Sequence, residues 1–320
     1  MLALLKLLED GQFHSGEELG ARLGISRAAV WKQLRALEVE LSVPLHSVKG
    51  KGYRLAEPIR LLDSAVLNAP GLEPAWGAHV LATVDSTNAE AQRLLVGGAT
   101  GAFYVVSEQQ TSGRGRRGRE WVSPFGLNLY YSLVVPVGGG VRQLEGLSLV
   151  VALALLRVVK ALGVEAAGLK WPNDILVNNK KLSGILLELS GDPADLCHVV
   201  IGIGLNVNML MADDAITQPW TSLRQELGRV IDRNELVLSI NEHLAHYLDV
   251  QMQHGFSVLR SEWELNHLWQ GQQVAITAGA EPIVGRVLGV DDAGAVRLAV
   301  DGVERSFSGG ELSLRLRNDS

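Results

Sequence analysis

Cysteine is nearly absent. Cys197 is the one thiol in 320 residues, so neither an internal disulfide nor a cysteine-rich zinc cage can form, which excludes secreted disulfide scaffolds and zinc fingers. Long apolar runs are missing too: the longest, Leu147 to Leu156, ends at Arg157, well short of the roughly 20 residues needed to cross a bilayer. Met1 to Leu8 is apolar but broken by Lys6, is followed by Glu9 and Asp10, and has no small-residue cleavage site, so no signal peptide is expected. Only 20% of residues are charged and the net charge is -6, which on average repels nucleic acid and acidic membranes. What remains is a folded chain, 47% hydrophobic, long enough for two or three domains and expected in the reducing cytoplasm.

Several catalytic signatures are missing as well. No Gly-x-Ser-x-Gly elbow occurs, and the closest histidine pair, His243 and His246, has no third ligand nearby, so no metal site is expected. Cys197, beside His198, precedes an apolar strand, where a thiol serves as core. Covalent catalysis is therefore not expected, and positioning and electrostatics should carry the chemistry.

Charge, where present, is concentrated in two places. Between Arg22 and Arg54, seven basic residues (Arg22, Arg27, Lys32, Arg35, Lys49, Lys51 and Arg54) stand against Glu38 and Glu40. The second cluster, Arg114, Arg116, Arg117 and Arg119, lies in one glycine-rich stretch. Two anionic partners at two sites are expected.

The first cluster sits in a patterned segment. Leu4, Leu5 and Leu8 have helical spacing before Gly11; Ser15-Gly16-Glu17-Glu18 is a capping box for a short helix with Leu19 and Leu23 inward, and Gly24 breaks it. Ser26 caps a third helix whose stripe is Val30, Leu34, Leu37 and Leu41, leaving Arg27, Trp31, Lys32 and Arg35 outside. Leu45 to Val48, Lys49-Gly50-Lys51-Gly52 and Tyr53 to Leu55 read as a hairpin with a basic tip. This pattern predicts a winged helix-turn-helix that meets DNA through Ser26, Arg27, Lys32 and Arg35 on the helix and Lys49 and Lys51 on the wing. A small helical cap with ordinary solvated charges is the competing reading.

The second cluster follows a predicted strand, Phe103 to Ser107. Gly113, Gly115 and Gly118 mimic nucleotide-binding spacings, but Arg119 and Glu120 stand where a P-loop needs Lys and Ser or Thr, and Pro124 follows with no helical pattern. A flexible loop with four guanidinium groups remains, suited to closing over an acid plus a nucleoside triphosphate, or to binding RNA. Asp85-Ser86-Thr87-Asn88 follows the apolar strand Val80 to Val84; Thr87 with Glu90 fits a capping box, and the same position suits a small polar ligand. Both uses stay open at this point. Asn178-Asn179-Lys180-Lys181 reads as a hairpin turn that puts Lys181 just inside the returning strand, and Gly184, Gly202 and Gly204 open windows in apolar strands. An apolar slot with a polar mouth is expected beside the arginine loop.

The run Gly113-Arg114-Gly115-Arg116-Arg117-Gly118-Arg119, with Lys170-Trp171-Pro172-Asn173-Asp174, Lys181-Leu182-Ser183-Gly184-Ile185 and Ser86-Thr87-Asn88, closely resembles the biotin protein ligases. With the winged helix it is similar to their bifunctional branch, which also represses the biotin operon. The resemblance covers nearly the whole chain. It implies a multidomain α+β fold: a winged helix-turn-helix over 1–60, a central α/β ligase domain with a mixed sheet over 61–270, and a small SH3-like β-barrel over 271–320, where Val274, Ile276, Val287, Val296, Leu298 and Val300 alternate in short strands.

It also implies a two-step reaction with ATP and Mg²⁺. The biotin carboxylate attacks the α-phosphate of ATP to give biotinyl-5′-AMP, and a lysine of the biotin carboxyl carrier protein of acetyl-CoA carboxylase then attacks that anhydride. Arg114 and Arg116 would neutralise the reacting anions, Lys181 would contact the acyl phosphate, Asp174 would orient the carrier lysine, and Lys170 would assist at the phosphates. Ser86, Thr87, Asn88 and Gln110 would hold the ureido end, with Gln110 rather than Gln109 aligned to the family's ligand glutamine. Gly115, Gly184 and Leu186 would line the slot, Asn206 would neighbour the adenylate, and Trp220 would cover its base. The adenylate is expected to act as corepressor, favouring a homodimer that presents two winged helices to operator DNA. A biotin-sensing transcription factor without turnover, and a lipoate ligase on the same fold, are the alternatives.

Overall fold

The computed structural model describes residues 1–320 apart from 139–140, 192–196, 212–214, 278–281, 310–311 and 317–320. Helices α1 (Leu2–Leu8), α2 (Gly16–Leu23) and α3 (Arg27–Glu40) form where caps and stripes predict them. Ser15 Oγ accepts from the Glu18 amide at 3.1 Å and Ser26 Oγ from the Ala29 amide at 3.2 Å, and Gly24 closes α2 in the left-handed region (φ 67°). Leu4, Leu5, Leu8, Leu19, Val30, Leu34 and Leu37 share one core; Leu41 lies just past the end of α3. The wing pairs β1 (Leu45–Val48) antiparallel with β2 (Gly52–Leu55). One contact was hidden in the sequence: His14, ahead of α2, bridges Tyr53 on the wing, and its ring sits between Asp10 and Glu18 at 2.9 and 3.0 Å. The wing is thereby fastened to the helices. Ile59 and Phe125 belong to the same core, so the head packs on the segment that follows the arginine loop.

The middle of the chain comprises α4 (Ser64–Leu67), β3 (Gly77–Leu81), α5 (Thr87–Val96), β4 (Phe103–Ser107), β5 (Leu129–Val137), α6 (Leu147–Ala161), β6 (Ala167–Lys170), β7 (Asp174–Val177), β8 (Lys180–Ser190) and β9 (Cys197–Leu205), then α7 (Leu223–Leu227), α8 (Arg233–His254) and α9 (Arg260–Leu265). Its strands form one mixed sheet in the order β3-β4-β5-β9-β8-β7-β6, parallel only between β3 and β4. Asn178 and Asn179 turn the β7–β8 hairpin, both at positive φ (49° and 62°), as a two-residue type I′ turn requires. Helix α5 covers one face, where Ala91 packs with Phe103, Val105, Val134 and Val200. Helix α6 lies on the other face beneath α8 and is buried nearly all round, which explains why its sequence shows no polar stripe. The run Leu147 to Leu156 is thus a core helix, and among the described residues no helix is long and apolar enough to cross a membrane.

Strands β10 (Gln273–Thr277), β11 (Pro282–Val290), β12 (Val296–Val300), β13 (Val303–Phe307) and β14 (Ser313–Leu316) form an antiparallel sheet in the order β13-β12-β11-β10-β14, the small all-β module that the alternation predicts. Val274, Ile276, Val287, Val296, Leu298 and Val300 are buried. Trp171 Nε1 donates to the Gly294 carbonyl at 3.0 Å, which ties this module to the Lys170–Asp174 segment.

Candidate functional site

The start of α5, strands β8 and β9 and the arginine loop converge on one cavity of about 120 Å³. Ser86, Thr87, Asn88, Gln110, Arg114, Gly115, Arg116, Lys170, Asp174, Lys181, Gly184 and Leu186 all line it, with Arg114 Nε 3.4 Å from Ser86 Oγ. Hydrogen bonding at Ser86-Thr87-Asn88 departs from the capping reading. Ser86 is the N-cap of α5, but its hydroxyl makes no capping bond, and Glu90 pairs with Arg93 at 2.7 Å instead of closing a capping box. The Thr87 amide and hydroxyl both donate to Gln110 Oε1, at 2.9 and 3.1 Å, and Gln110 Nε2 donates to Ser123 Oγ at 3.1 Å. Gln109 lies elsewhere, 3.4 Å from Thr83 Oγ1. Strand β3 stops at Leu81, short of the Val84 that the sequence suggested, and Val84 pairs with Gln110 only as an isolated bridge in the same register. Asn88 Nδ2 donates to Glu188 Oε2 at 2.7 Å, and the same oxygen pairs with Arg114 Nη2 at 3.1 Å. The result is a buried polar network at the slot, not a helix cap.

The mid-strand glycines are needed for close approach. A Cβ on Gly202 would overlap Asn88, one on Gly204 would overlap the Trp121 ring, and one on Gly184 would stand 3.2 Å from that ring. Trp121 therefore lies across β8 and β9 inside the slot, and its indole N–H is buried without a hydrogen-bond partner among the described residues. Sequence reasoning missed this residue; the signal was an aromatic directly after the arginines, matched by two strand glycines.

Lys181 Nζ lies 2.9 Å from Asp174 Oδ1, and Lys170 Nζ lies 3.4 Å from Oδ2. Burial pushes the Asp174 carboxyl up, but the two ammonium groups outweigh it and hold it below the usual carboxylate range. Burial pulls the Lys170 ammonium down despite the attraction of Asp174. Lys181 sits 5.4 Å over the Trp121 ring and Lys170 5.3 Å over Trp269. These three charged groups also line a second cavity of about 690 Å³, with Trp220, Asn206 and Trp269. The Lys181 amide donates to the Pro219 carbonyl at 2.9 Å and the Thr221 amide to the Lys181 carbonyl at 3.0 Å, which fixes Trp220 beside Lys181. Asn206 Nδ2 donates to the Thr221 carbonyl at 2.9 Å, so its amide supports the Trp220 segment.

Arg116 Nη1 donates to Asn173 Oδ1 at 2.9 Å and its Nη2 to the Gly309 carbonyl at 2.8 Å, so the β module supplies acceptors to the arginine loop. Arg117 and Arg119 are exposed at the rim. Six basic side chains around one cavity suit a polyanion. The carboxylates do not fit a protein-held metal ion: Asp174 and Glu188 are each engaged by lysine or arginine, and among the described residues no three His, Cys, Asp or Glu side chains cluster.

On the head, Arg27, Lys32 and Arg35 are exposed on α3, and Lys49 and Lys51 at the wing tip. Arg35 lies 5.8 Å over the exposed Trp31 ring. Ser26, also exposed, uses its hydroxyl to cap α3. Helix and wing tip thus both present basic groups to solvent.

Comparison with known proteins agrees with this layout. Residues 1–54 match an HTH domain, 80–206 the biotin/lipoate A/B protein ligase family, and 270–315 the biotin protein ligase C terminal domain. The bifunctional ligase/repressor BirA of Salmonella typhimurium is 41% identical over 98% of this chain and 97% of its own, and that of Escherichia coli is 39% identical over the same shares. Among solved structures, the biotin protein ligase of Aquifex aeolicus in complex with biotin and ATP superposes with a TM-score of 0.67 at 29% identity, covering 75% of this chain and 99% of that one. With the head, the slot and the β module all accounted for from end to end, the chain belongs to the BirA family of bifunctional biotin ligase/repressors.

Proposed function

We propose that the chain activates biotin with ATP as biotinyl-5′-AMP, passes biotin to a lysine of the biotin carboxyl carrier protein, and represses the biotin biosynthesis operon as an adenylate-loaded homodimer. The observation that carries this reading is the pair of cavities joined by one charged wall, Lys181, Asp174 and Lys170. One cavity, with Ser86, Thr87, Asn88 and Gln110 among its polar lining and Trp121 against its glycines, suits a compact, largely apolar ring system with a ureido edge. The other, with Trp220, suits a purine. The Aquifex aeolicus relative holds both biotin and ATP, which supports the same pair of substrates here.

The chemistry follows from charge. Joining a carboxylate to a triphosphate brings two anions together, and Arg114, Arg116 and Lys181 at the junction offset that repulsion, most strongly as charge builds on the phosphate. Closing the arginine loop over the product keeps water from the anhydride. Asp174, held ionised, is a weak base but a good anchor for an incoming ammonium, so its part is orienting the carrier lysine. Lys170 assists at the phosphates. Mg²⁺ enters with ATP, carried on phosphate oxygens and water, and no protein ligand is assigned to it. The modules are taken to span 1–60, 61–270 and 271–320, and the protein to work in the cytoplasm, where its substrates and operator are found.

Incubation with biotin, ATP, Mg²⁺ and a carrier domain tests the reading by the mass gained on the carrier lysine. A folded protein that binds biotin yet leaves the carrier unmodified would make it a sensor without turnover, and lipoate in place of biotin on the carrier would make it a lipoate ligase.

A further inference from the structure

A buried ion pair outside both cavities has no part in the chemistry above. Glu108 and Arg233 are 3% and 1% exposed, with Oε2 of one 2.6 Å from Nη2 of the other. The pair spans both stems of the arginine loop: Glu108 stands on the first stem, where its backbone carbonyl accepts from the Gly126 amide at 2.9 Å, and Arg233, held by the Glu108 carboxylate, donates from Nη1 to the Asn128 carbonyl on the second at 3.2 Å. Between those stems lie Gln110, Arg114, Arg116 and Trp121. The pair's remaining bonds go to the connection between head and body. The Leu62 amide donates to Glu108 Oε1 at 2.6 Å, and Arg233 Nη2 donates to the Arg60 carbonyl at 2.8 Å. That connection is tied in turn to the head, since the Leu61 amide donates to Glu9 Oε1 at 2.6 Å and Lys6 pairs with Asp63 at 3.0 Å.

A fully buried ion pair contributes little net stability compared with an apolar replacement, but it tolerates only arrangements that keep all its partners in place. Such a pair specifies geometry. We infer that Glu108 and Arg233 are positioning residues that make the stems of the arginine loop and the interdomain connection one mechanical unit, so that closing the loop over a ligand is felt at the seat of the DNA-binding head. This inference rests on the ligase and repressor reading.

The test uses full-length protein in three forms: wild type, the double variant Glu108→Gln/Arg233→Met, which leaves no lone buried charge, and Arg233→Lys, which keeps the charge but lacks the second nitrogen arm. Melting curves establish that each is folded. Two quantities are then read well below the melting temperature: the release rate of biotinyl-5′-AMP formed in place from biotin and MgATP, and hydrogen exchange of the 57–66 peptide before and after the adenylate forms. In the wild type the adenylate should slow exchange in that peptide. In the folded variants release should be at least tenfold faster and the slowing lost, while the α5 peptide keeps its response; a merely structural role would lower the melting temperature and leave both readings unchanged. If the double variant does not fold, Arg233→Lys carries the same two readings. Wild-type adenylate with no response at 57–66, or variants with wild-type release and response, would overturn the inference alone. No adenylate from the wild type would overturn the ligase reading and the inference with it.

Discussion

Trp121 occupies the volume that a side chain at Gly204 would need. The slot left beside it is about 120 Å³, so the position of the indole sets how much room a ligand finds there. Gly204→Ala forces ring and methyl to compete, a strain of about 1–3 kcal/mol. The kcat/KM for biotin in adenylate formation should fall on the order of tenfold or more; an unchanged value would place the ring outside the ligand's path.

Lys181→Ala and Asp174→Asn should separate the two half-reactions. Removing the ammonium group should slow adenylate formation on the order of 10²-fold or more, the usual loss of one transition-state donor. Removing the carboxylate charge should leave adenylate formation less affected and slow transfer to the carrier. Single-turnover assays with and without carrier read the two steps, and equal losses in both for Asp174→Asn would assign it to adenylation.

Arg116→Gly removes the bonds to Asn173 and Gly309 and frees the loop. Release of biotinyl-5′-AMP in a chase experiment should speed up on the order of tenfold or more, which needs only about 1.4 kcal/mol of what two charge-assisted bonds of roughly 1.5–3 kcal/mol each can supply. Wild-type release would remove Arg116 from retention of the intermediate.

Lys49→Ala and Lys51→Ala should weaken operator binding without touching ligation. Each lost phosphate contact lowers the slope of log affinity against log salt by about 1. An unaltered slope would take the wing tip off the DNA.

Burial pulls the His267 imidazole, packed against Trp263, down to about 4, against roughly 6.5 in the unfolded chain. The unfolded state therefore takes up the proton first, and stability present above pH 6.5 is lost as pH falls toward 4, by about 3 kcal/mol at the lower end. For His14, burial lowers the value but the bonds to Asp10 and Glu18 outweigh it and raise it, so its contribution is complete below about 6.5 and lost as pH rises through the raised value. Urea unfolding of wild type and His267→Phe between pH 7.5 and 5 checks the first effect: the variant should lose part of the acid-side decline, and identical profiles would refute it.

What could be read from the chain alone was whatever depends on neighbours in sequence. Ser15 and Ser26 cap because an amide three residues on is within reach, and Asn178-Asn179 turns a hairpin because both tolerate positive φ. The residues around the slot were legible as motifs, whereas their geometry was not. In sequence, Ser86-Thr87-Asn88 fits a cap and a polar ligand site equally well, and the contact of Thr87 with Gln110, which argues against the cap, joins segments 23 residues apart. Trp121 could not be placed because its seat is made by glycines on two other strands. Nothing in the sequence marks Glu108 and Arg233, since a buried pair between distant segments leaves no local pattern.

Arg116 reaches into the β module at Gly309, and Phe125, a few residues later, sits in the core of the head. The chain is modular when its segments are laid end to end, but one surface loop is shared property of all three. A chimera that exchanges either terminal module must therefore reproduce an acceptor for that guanidinium and a socket for that phenyl ring. Grafts chosen by domain boundary alone should express as folded proteins with a poorly set loop, and random recombination between relatives should succeed most often where the parts touching residues 114–126 come from one parent.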